Sequence, residues 1–396
     1  MLEISKMAAG VEPSATLAAA ARARQLKAEG KDVLDFSVGE PDFPTPAFIC
    51  DAAKKAMDQG KTRYTPASGT VELRNAIVQW YAKEYGYAFT AEQVIVSNGA
   101  KHSIHNTLAA LLNPGDEVII PTPYWVSYGD LVKMCGAKPV LVETTLESGF
   151  RMSPAQLESA ISPRTKLLLL NSPSNPTGAI YPRKELEVFA EIVTAKGIGV
   201  ISDEIYEKLI YGNAAATCFA TLKPGLAERT ITISGVSKTY AMTGWRIGWA
   251  IGPKKLIQAM GNIQSQETSS PCSISQEAAR AALSGDQGFI EPMRQEFQAR
   301  RDLVYAGLSK IPGLRPFFPD GAFYAFFDVS GTYGREVAGG AFHDDVGFCR
   351  GALDQALVNL VPGVAFGAPG FARLSFATSR QQIEAGLARL ANWLRV

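Results

Sequence analysis

The stretch Ser234–Trp249, SGVSKTYAMTGWRIGW, decides the fold that we predict for this chain. It places Lys238 in a small, hydroxyl-rich segment, and Arg246 follows eight positions later. Apolar residues alternate on both sides as they do in buried strands, at Ile231, Ile233, Ile247, Trp249 and Ile251. A lysine between two such strands is either a solvated turn residue or a buried amine. A buried amine has a lowered pKa and can attack a carbonyl carbon.

The composition bounds the class of protein. With 396 residues, of which 46% are hydrophobic, the chain can bury a large core and is expected to form two domains or lobes. Its 39 basic and 38 acidic residues nearly cancel, so we expect neither a nucleic acid nor an anionic membrane as partner. The 3 histidines argue against a His-rich metal centre, and no metal is expected.

Cysteine usage and the N-terminus indicate the compartment. The 5 cysteines are scattered without a CxxC pair, which favours free thiols in a reducing environment. The first residues carry Glu3 and Lys6 and show no signal-peptide h-region. No run of about 18 uncharged apolar residues occurs, so we expect no membrane span and a cytoplasmic location.

The order of elements predicts an α/β fold. Between residues 94 and 233, short apolar strands alternate with helices, which implies a mainly parallel sheet covered by helices on both faces. After Pro253 the pattern changes to long helices and mixed short strands, one of them predicted over 357–361. We predict an N-terminal arm (1–40) that is part of the small domain, a large domain (41–289) and a smaller α+β domain (290–396).

Polar residues follow the predicted strands, at the edge of the sheet where parallel sheets bind ligands. After strand 94–97, Asn98-Gly99-Ala100-Lys101 opens a helix whose free N–H groups favour a phosphate, although many such turns bind nothing. After strand 117–120, Trp125 either stacks on a flat ring or caps the core.

Three further strand ends add complementary groups. After strand 166–170, Asn175 can donate to a ligand oxygen or merely form an Asn-Pro turn. Asp203 follows strand 198–202, with Tyr206 three residues on; it is either a helix cap or a buried carboxylate that needs a positive partner such as a pyridinium nitrogen. After strand 230–233, Ser234 and Ser237 with Arg246 can bind a phosphate dianion.

Together these groups match one cofactor. Lys238 offers an amine for a covalent bond, and Asp203 a carboxylate for a ring nitrogen. An aromatic side chain covers a ring face, Asn and Tyr serve a ring oxygen, and hydroxyls, Arg and a helix start serve a phosphate. We therefore predict pyridoxal 5′-phosphate as the cofactor.

Over nearly its whole length the chain resembles the class I/II pyridoxal-phosphate-dependent aminotransferases of the aspartate aminotransferase fold, fold type I. The branch that it resembles most is the bacterial and plastid one. The matching segments are VGEPDFPTP (38–46), YTPASGTVELR (64–74), SNGAKH (97–102), NPGDEVIIPTPYW (113–125), NSPSNPTG (171–178), SDEIY (202–206), SKTYAMTGWRIGW (237–249) and ARLSFA (372–377).

The resemblance implies a role for each matching residue. Lys238 would bond to the cofactor and move the proton at the substrate Cα, Asp203 would keep the ring nitrogen protonated, and Tyr206 would bond the ring oxygen. The other residues implied to contact the cofactor are Gly99, Ala100, Lys101, Trp125, Asn175, Ser237, Arg246 and, from a neighbouring subunit, Tyr64. Those implied to contact the substrate are Gly39, Lys101, Trp125, Asn175 and Arg373.

Tyr64 in that role implies a homodimer with shared sites, and the arm would help to form the entrance. Arg373 would clamp the substrate α-carboxylate. Lys101 would bind the side-chain carboxylate of aspartate or glutamate, or would lie in solvent at a helix start. Members that also use prephenate carry a basic residue near the start of the arm, whereas this chain has Glu12.

The resemblance implies transamination of L-aspartate with 2-oxoglutarate by a ping-pong route. The alternatives are an aminotransferase for an aromatic amino acid, alanine or prephenate/arogenate, a lyase or synthase of the same fold, and a non-catalytic protein that binds or senses the cofactor. The absence of a DNA-binding segment before the arm argues against a regulator.

Overall fold

The computed structural model describes residues 2–11 and 13–395, so the expectation placed on Glu12 lies outside the described residues. The helices are α1 (Lys6–Ala9), α2 (Ala15–Ala28), α3 (Ala47–Asp58), α4 (Val71–Tyr85), α5 (Ala100–Leu111), α6 (Ser127–Met134), α7 (Pro154–Ala160), α8 (Arg183–Lys196), α9 (Lys254–Glu267), α10 (Ser273–Ser284), α11 (Ile290–Leu308), α12 (Asp345–Ala356) and α13 (Arg380–Trp393). The strands are β1 (Leu34–Asp35), β2 (Val94–Ser97), β3 (Glu117–Pro121), β4 (Lys138–Val142), β5 (Thr165–Asn171), β6 (Gly199–Asp203), β7 (Thr230–Gly235), β8 (Gly248–Ile251), β9 (Arg315–Pro316), β10 (Tyr324–Asp328), β11 (Val358–Asn359), β12 (Val361–Pro362) and β13 (Phe371–Ser375).

A seven-stranded sheet forms the centre of the molecule, in the order β2-β8-β7-β6-β5-β3-β4. Four of its pairings are parallel, and only β8 runs against its neighbours β2 and β7. In β2, Val94 and Val96 pack into one core while Ile95 packs into the core on the other face. The prediction of a mainly parallel sheet covered on both faces is confirmed.

A strand around Trp249 was predicted, but the antiparallel direction of β8 was not. Ser234 of β7 pairs with Trp249 of β8, and Gly235 pairs with Gly248. The two strands therefore form a hairpin, and the loop between them carries both Lys238 and Arg246. A hairpin can return antiparallel without the long crossover that a parallel pair needs.

Two smaller sheets lie in the C-terminal part of the chain. Strands β12, β13, β10 and β9 form a four-stranded sheet in that order. The arm strand β1 pairs in parallel with β11, with Leu34 opposite Val358. Leu34 and Phe36 share a core cluster with many residues beyond residue 290. The boundaries at residues 40 and 290 stay a prediction.

Most element positions agree with the sequence pattern to within a few residues, but α12 and β9 were not predicted. The single strand predicted over 357–361 is two short strands in different sheets, β11 and β12. The short helix α1 was not predicted; Ser5 caps it by accepting from the backbone N–H of Ala8. Of the helices that the structure describes, none has both the length and the apolarity needed to cross a bilayer.

Candidate active site

A cavity of about 350 Å³ opens at the carboxyl ends of β5, β6 and β7. The fold gathers residues there that lie far apart in sequence. The predicted site residues that line it are Gly39, Ala100, Lys101, Trp125, Asn175, Asp203, Tyr206, Ser237, Lys238, Arg246 and Arg373. Gly99 is the residue directly before Ala100, in the turn between β2 and α5.

Lys238 lies in the wall of this cavity. Its Nζ donates to the carbonyl oxygen of Gly39 at 2.5 Å and lies 5.8 Å from the ring centre of Tyr206. Burial lowers the pKa of Lys238 to about 8, and the charges of Arg246 and Arg373 lower it as well, while Glu40 opposes them. A larger fraction of this amine is therefore neutral near pH 7 than of an ordinary lysine.

Asp203 is a buried carboxylate, 3% exposed, at the end of β6. It accepts from the Tyr128 hydroxyl at 2.6 Å and from the Ile205 backbone N–H at 3.2 Å. Burial raises its pKa to about 6, and these hydrogen bonds and the charge of Lys238 offset only part of that rise. A carboxylate in this position favours a cationic partner in the cavity, as the protonated ring nitrogen of the predicted cofactor would be.

The raised pKa makes a prediction about stability. Because the folded-state pKa of about 6 exceeds the ordinary value of 3.8, the contribution of Asp203 to folding is most favourable below pH 4 and is lost as pH rises through 6. Replacing it in Asp203→Asn should stabilise the cofactor-free chain at pH 7.5 by up to about 3 kcal/mol. Urea unfolding measures this gain.

The gain from Asp203→Asn should largely vanish near pH 3, where the wild-type carboxyl is mostly protonated in both the folded and the unfolded state. Asp58→Asn, at the exposed end of α3, is the matched control and should show no gain that depends on pH in this way. An equal gain for Asp203→Asn at both pH values would contradict the assignment of a buried, ionised carboxylate.

Arg373 lies on β13 and is 1% exposed. Its Nη1 donates to Asn175 Oδ1 at 2.9 Å, and its Nη2 donates to the carbonyl oxygen of Ser37 at 2.6 Å. The ring of Tyr324 lies 4.5 Å from the guanidinium carbon. Nε is buried and has no hydrogen-bond partner among the described residues. A buried guanidinium that forms no ion pair with a carboxylate of the described residues is suited to bind an anionic group that enters the cavity.

Aromatic side chains frame the cavity. The hydroxyls of Tyr206 and Tyr324 are 2.8 Å apart and share a hydrogen bond. Trp125 meets Tyr128 edge to face, with 5.4 Å between ring centres. The Lys101 ammonium lies 4.8 Å from the Trp125 ring centre. Partial desolvation and the charge of Arg246 lower the pKa of Lys101.

The turn at the start of α5 leaves no room for a side chain. Gly99 has φ of 89°, and a Cβ there would lie 2.3 Å from Arg246 Nη2. A Cβ on Gly248 of β8 would lie 2.2 Å from the backbone nitrogen of Ala100. The backbone N–H groups at the start of α5 and the Arg246 guanidinium are thereby packed closely together, beside Ser237. This cradle fits a phosphate.

Tyr64 is 93% exposed and does not line the cavity of its own chain. Its predicted role, which depends on a neighbouring subunit, stays a prediction.

Sequence reasoning missed two residues that contact predicted site residues, Tyr128 and Tyr324. Tyr128 could have been found, since it lies three residues after Trp125, near the start of α6. Other lining residues that were not singled out are Ser14, Thr16, Leu17, Val38, Glu40, Ser127, Asn171, Ile205 and Thr243.

A mainly parallel sheet with a lysine, a buried carboxylate and a phosphate cradle at its strand ends defines a pyridoxal-phosphate enzyme of fold type I. Residues 31–390 match the family described as aminotransferase class I and II. The chain is 48% identical to an aspartate/prephenate aminotransferase of Cereibacter sphaeroides, with 98% of each covered. It is 47% identical to an aspartate aminotransferase of Geobacillus stearothermophilus, with 99% of each covered.

A solved structure agrees with these relatives. The crystal structure of the aspartate aminotransferase from Rhizobium meliloti superposes with a TM-score of 0.96 at 44% identity, covering 100% of this chain and 99% of that one. The chain belongs to the class I and II aminotransferases, and pyridoxal 5′-phosphate is its cofactor.

Proposed function

We propose that this chain transfers the amino group of L-aspartate to 2-oxoglutarate, giving oxaloacetate and L-glutamate in two half-reactions at one site. The observation that supports this proposal most directly is that two cationic side chains, Arg373 and Lys101, line the same cavity as the Lys238 amine. A dicarboxylic amino acid presents two carboxylates, one for each cation. The names of the relatives at 47% and 48% identity support the same substrate.

The lining residues divide between the parts of the cofactor. Asp203 would face the ring nitrogen, Trp125 a ring face, and Tyr206 and Asn175 the ring oxygen. The residues that would hold the phosphate are Gly99, Ala100, Ser237 and Arg246, with Lys101 beside them. When bound, pyridoxal 5′-phosphate supplies an electron-withdrawing ring that stabilises negative charge at the substrate Cα.

The chain's own residues orient the substrate and move the proton. Arg373 binds the α-carboxylate through its paired N–H groups, and Asn175, which accepts from Nη1, holds the guanidinium in place. The neutral amine of Lys238 takes the proton from the substrate Cα and later returns it as an ammonium. The Gly39 carbonyl, which accepts from Lys238 Nζ, orients that amine and borders the substrate.

Assembly and location complete the proposal. The exposed Tyr64 would reach the phosphate of a second copy, so the working unit is a homodimer with sites at the interface. The arm, which supplies Ser14, Thr16 and Leu17 to the cavity wall, would form part of the entrance. The free cysteines and the balanced charge support a cytoplasmic location.

A panel of single amino acids tests the proposal. Each is added alone to the cofactor-loaded protein, and the change in cofactor absorbance reports the first half-reaction. Aspartate and glutamate should react faster than alanine, phenylalanine and arogenate. An equal or faster reaction with one of those would support an alternative aminotransferase. No reaction with any of them would indicate a non-catalytic protein that binds the cofactor.

Lys101→Ala should lower kcat/KM for aspartate and glutamate by about tenfold or more, because a charge-assisted hydrogen bond to the second carboxylate is lost. Half-reaction rates with alanine should stay unchanged in the same variant, which makes alanine the internal control. An equal loss for aspartate and alanine would assign Lys101 to the cofactor or to folding.

A further inference from the structure

The turn that precedes α5 is held by hydrogen bonds to three of the four polar groups of Asn98. Its backbone N–H donates to His102 Nδ1 at 3.3 Å, and its side-chain Nδ2 donates to Thr268 Oγ1 at 3.1 Å. Its carbonyl oxygen accepts from Arg246 Nη2 at 3.4 Å. Asn98 thus links the guanidinium of the phosphate cradle to His102 on α5 and to Thr268 directly after α9.

The bond from Asn98 fixes the proton on His102. A backbone N–H can only donate, so Nδ1 of His102 must be the acceptor and Nε2 must carry the hydrogen. That Nε2 lies 3.1 Å from Glu267 Oε2 of α9, and a carboxylate accepts this hydrogen. Glu267 therefore selects the tautomer that Asn98 requires, as carboxylates do for histidines in metal and catalytic sites.

The cradle has little tolerance for a shift of this turn. Gly99 follows Asn98 directly, and its Cα faces Arg246 so closely that a Cβ would lie 2.3 Å from Nη2. The position of Asn98 consequently determines where the N–H groups of the turn and the Arg246 guanidinium lie, and these are the groups that would bind a phosphate.

We propose that His102, held by Glu267, is a positioning residue for the phosphate-binding turn, although it does not itself line the cavity. The proposal rests on the assignment of this cradle to the cofactor phosphate. Neither the sequence motif nor the cavity lining singles out His102, because it acts through the backbone of Asn98.

Two substitutions separate the hydrogen bonds from the bulk of the side chain. His102→Leu removes the acceptor for Asn98 and the donor to Glu267, whereas His102→Gln keeps one acceptor and one donor. His102→Leu should weaken binding of pyridoxal 5′-phosphate to the cofactor-free protein by about tenfold. Binding of pyridoxal, which lacks the phosphate, should change less than twofold, and His102→Gln should restore most of the lost affinity.

The control is His105→Leu on the same helix. His105 Nδ1 lies 3.7 Å from Glu267 Oε1, and its ring does not bond Asn98. This variant should keep the affinities of wild-type protein for both ligands. Fluorescence titration gives the dissociation constants, and thermal unfolding of the cofactor-free variants checks that each is folded.

The outcomes distinguish this proposal from the function on which it rests. If wild-type protein binds pyridoxal 5′-phosphate no better than pyridoxal, the phosphate cradle itself is wrongly assigned. If wild-type protein prefers the phosphate form and His102→Leu keeps that preference, the positioning role is overturned while the cofactor site stands. If His102→Leu weakens both ligands equally, or if the variant does not fold while His102→Gln weakens both equally, the role is structural and the proposal fails.

Discussion

Replacing Lys238 with alanine should lower turnover with aspartate and 2-oxoglutarate by about 10⁴-fold or more. The substitution removes the one amine that the fold places against the Gly39 carbonyl and beside Tyr206. Among the described residues, the other cationic groups of the cavity wall do not replace it. Arg246 and Arg373 stay protonated and cannot accept a proton, and the Lys101 ammonium lies against the Trp125 ring instead. Steady-state assays of wild-type and variant protein measure the loss.

A second substitution tests whether the positive charge of Lys238 is enough for activity or whether its amine is required. Lys238→Arg keeps a positive charge in the cavity but cannot supply a neutral amine, so its activity should be as low as that of Lys238→Ala. Lys254→Ala, at an exposed ion pair with Glu92, should leave turnover unchanged. Turnover within tenfold of wild type for Lys238→Ala would overturn the proposed mechanism. Borohydride reduction and peptide mass mapping of the wild-type holoenzyme should also place the cofactor on Lys238.

Replacing Arg373 with lysine should lower kcat/KM for amino acids by about 10²–10³-fold. An ammonium keeps the charge but loses the planar pair of N–H groups that binds a carboxylate at two points. Two contacts are also lost within the protein, from Nη1 to Asn175 and from Nη2 to the Ser37 carbonyl. The substrate would therefore bind both more weakly and in a less defined orientation.

A substrate without a carboxylate isolates this role. The slow half-reaction with a simple primary amine should be nearly the same in wild-type protein and in Arg373→Lys, because the amine has no α-carboxylate for residue 373 to bind. Arg183→Lys, at an exposed pair with Glu187 on α8, is the matched control and should match wild type with every substrate. If Arg373→Lys slows the amine and the amino acid equally, Arg373 supports the cofactor or the fold and does not bind the carboxylate.

The predicted site residues were found because of where they stand along the chain. Asp203 directly follows an apolar run, and Lys238 lies between two apolar segments, so both could be placed at strand ends from the sequence alone. In a parallel sheet all such ends meet at one edge. Because the carboxyl ends of parallel strands lie at one edge, residues more than 30 positions apart could be assigned to one site without any knowledge of their contacts. Arg373 was found only through the family resemblance, because an arginine within a strand carries no local signal.

The local sequence pattern also does not determine the direction in which a strand runs. The alternation around Trp249 predicts a strand but does not tell whether that strand runs with or against its neighbours. The hairpin between β7 and β8 made it antiparallel, and this pairing turned the Lys238 loop back over the sheet edge. The same limit explains why the run 357–361 was predicted as one strand, although its two halves pair in different sheets.

The sequence by itself determined the fold class and the cofactor, and it predicted residues that would touch that cofactor, since periodicity and motif order are properties of the chain. Only the tertiary structure decided which other groups form hydrogen bonds with the predicted site residues. Tyr128 donates to Asp203 across 75 positions, and Tyr324 meets Tyr206 across 118. His102 reaches Glu267 across 165 positions. Hydrogen bonds and burial depend on distance in space, which spacing along the chain does not encode for residues on different elements.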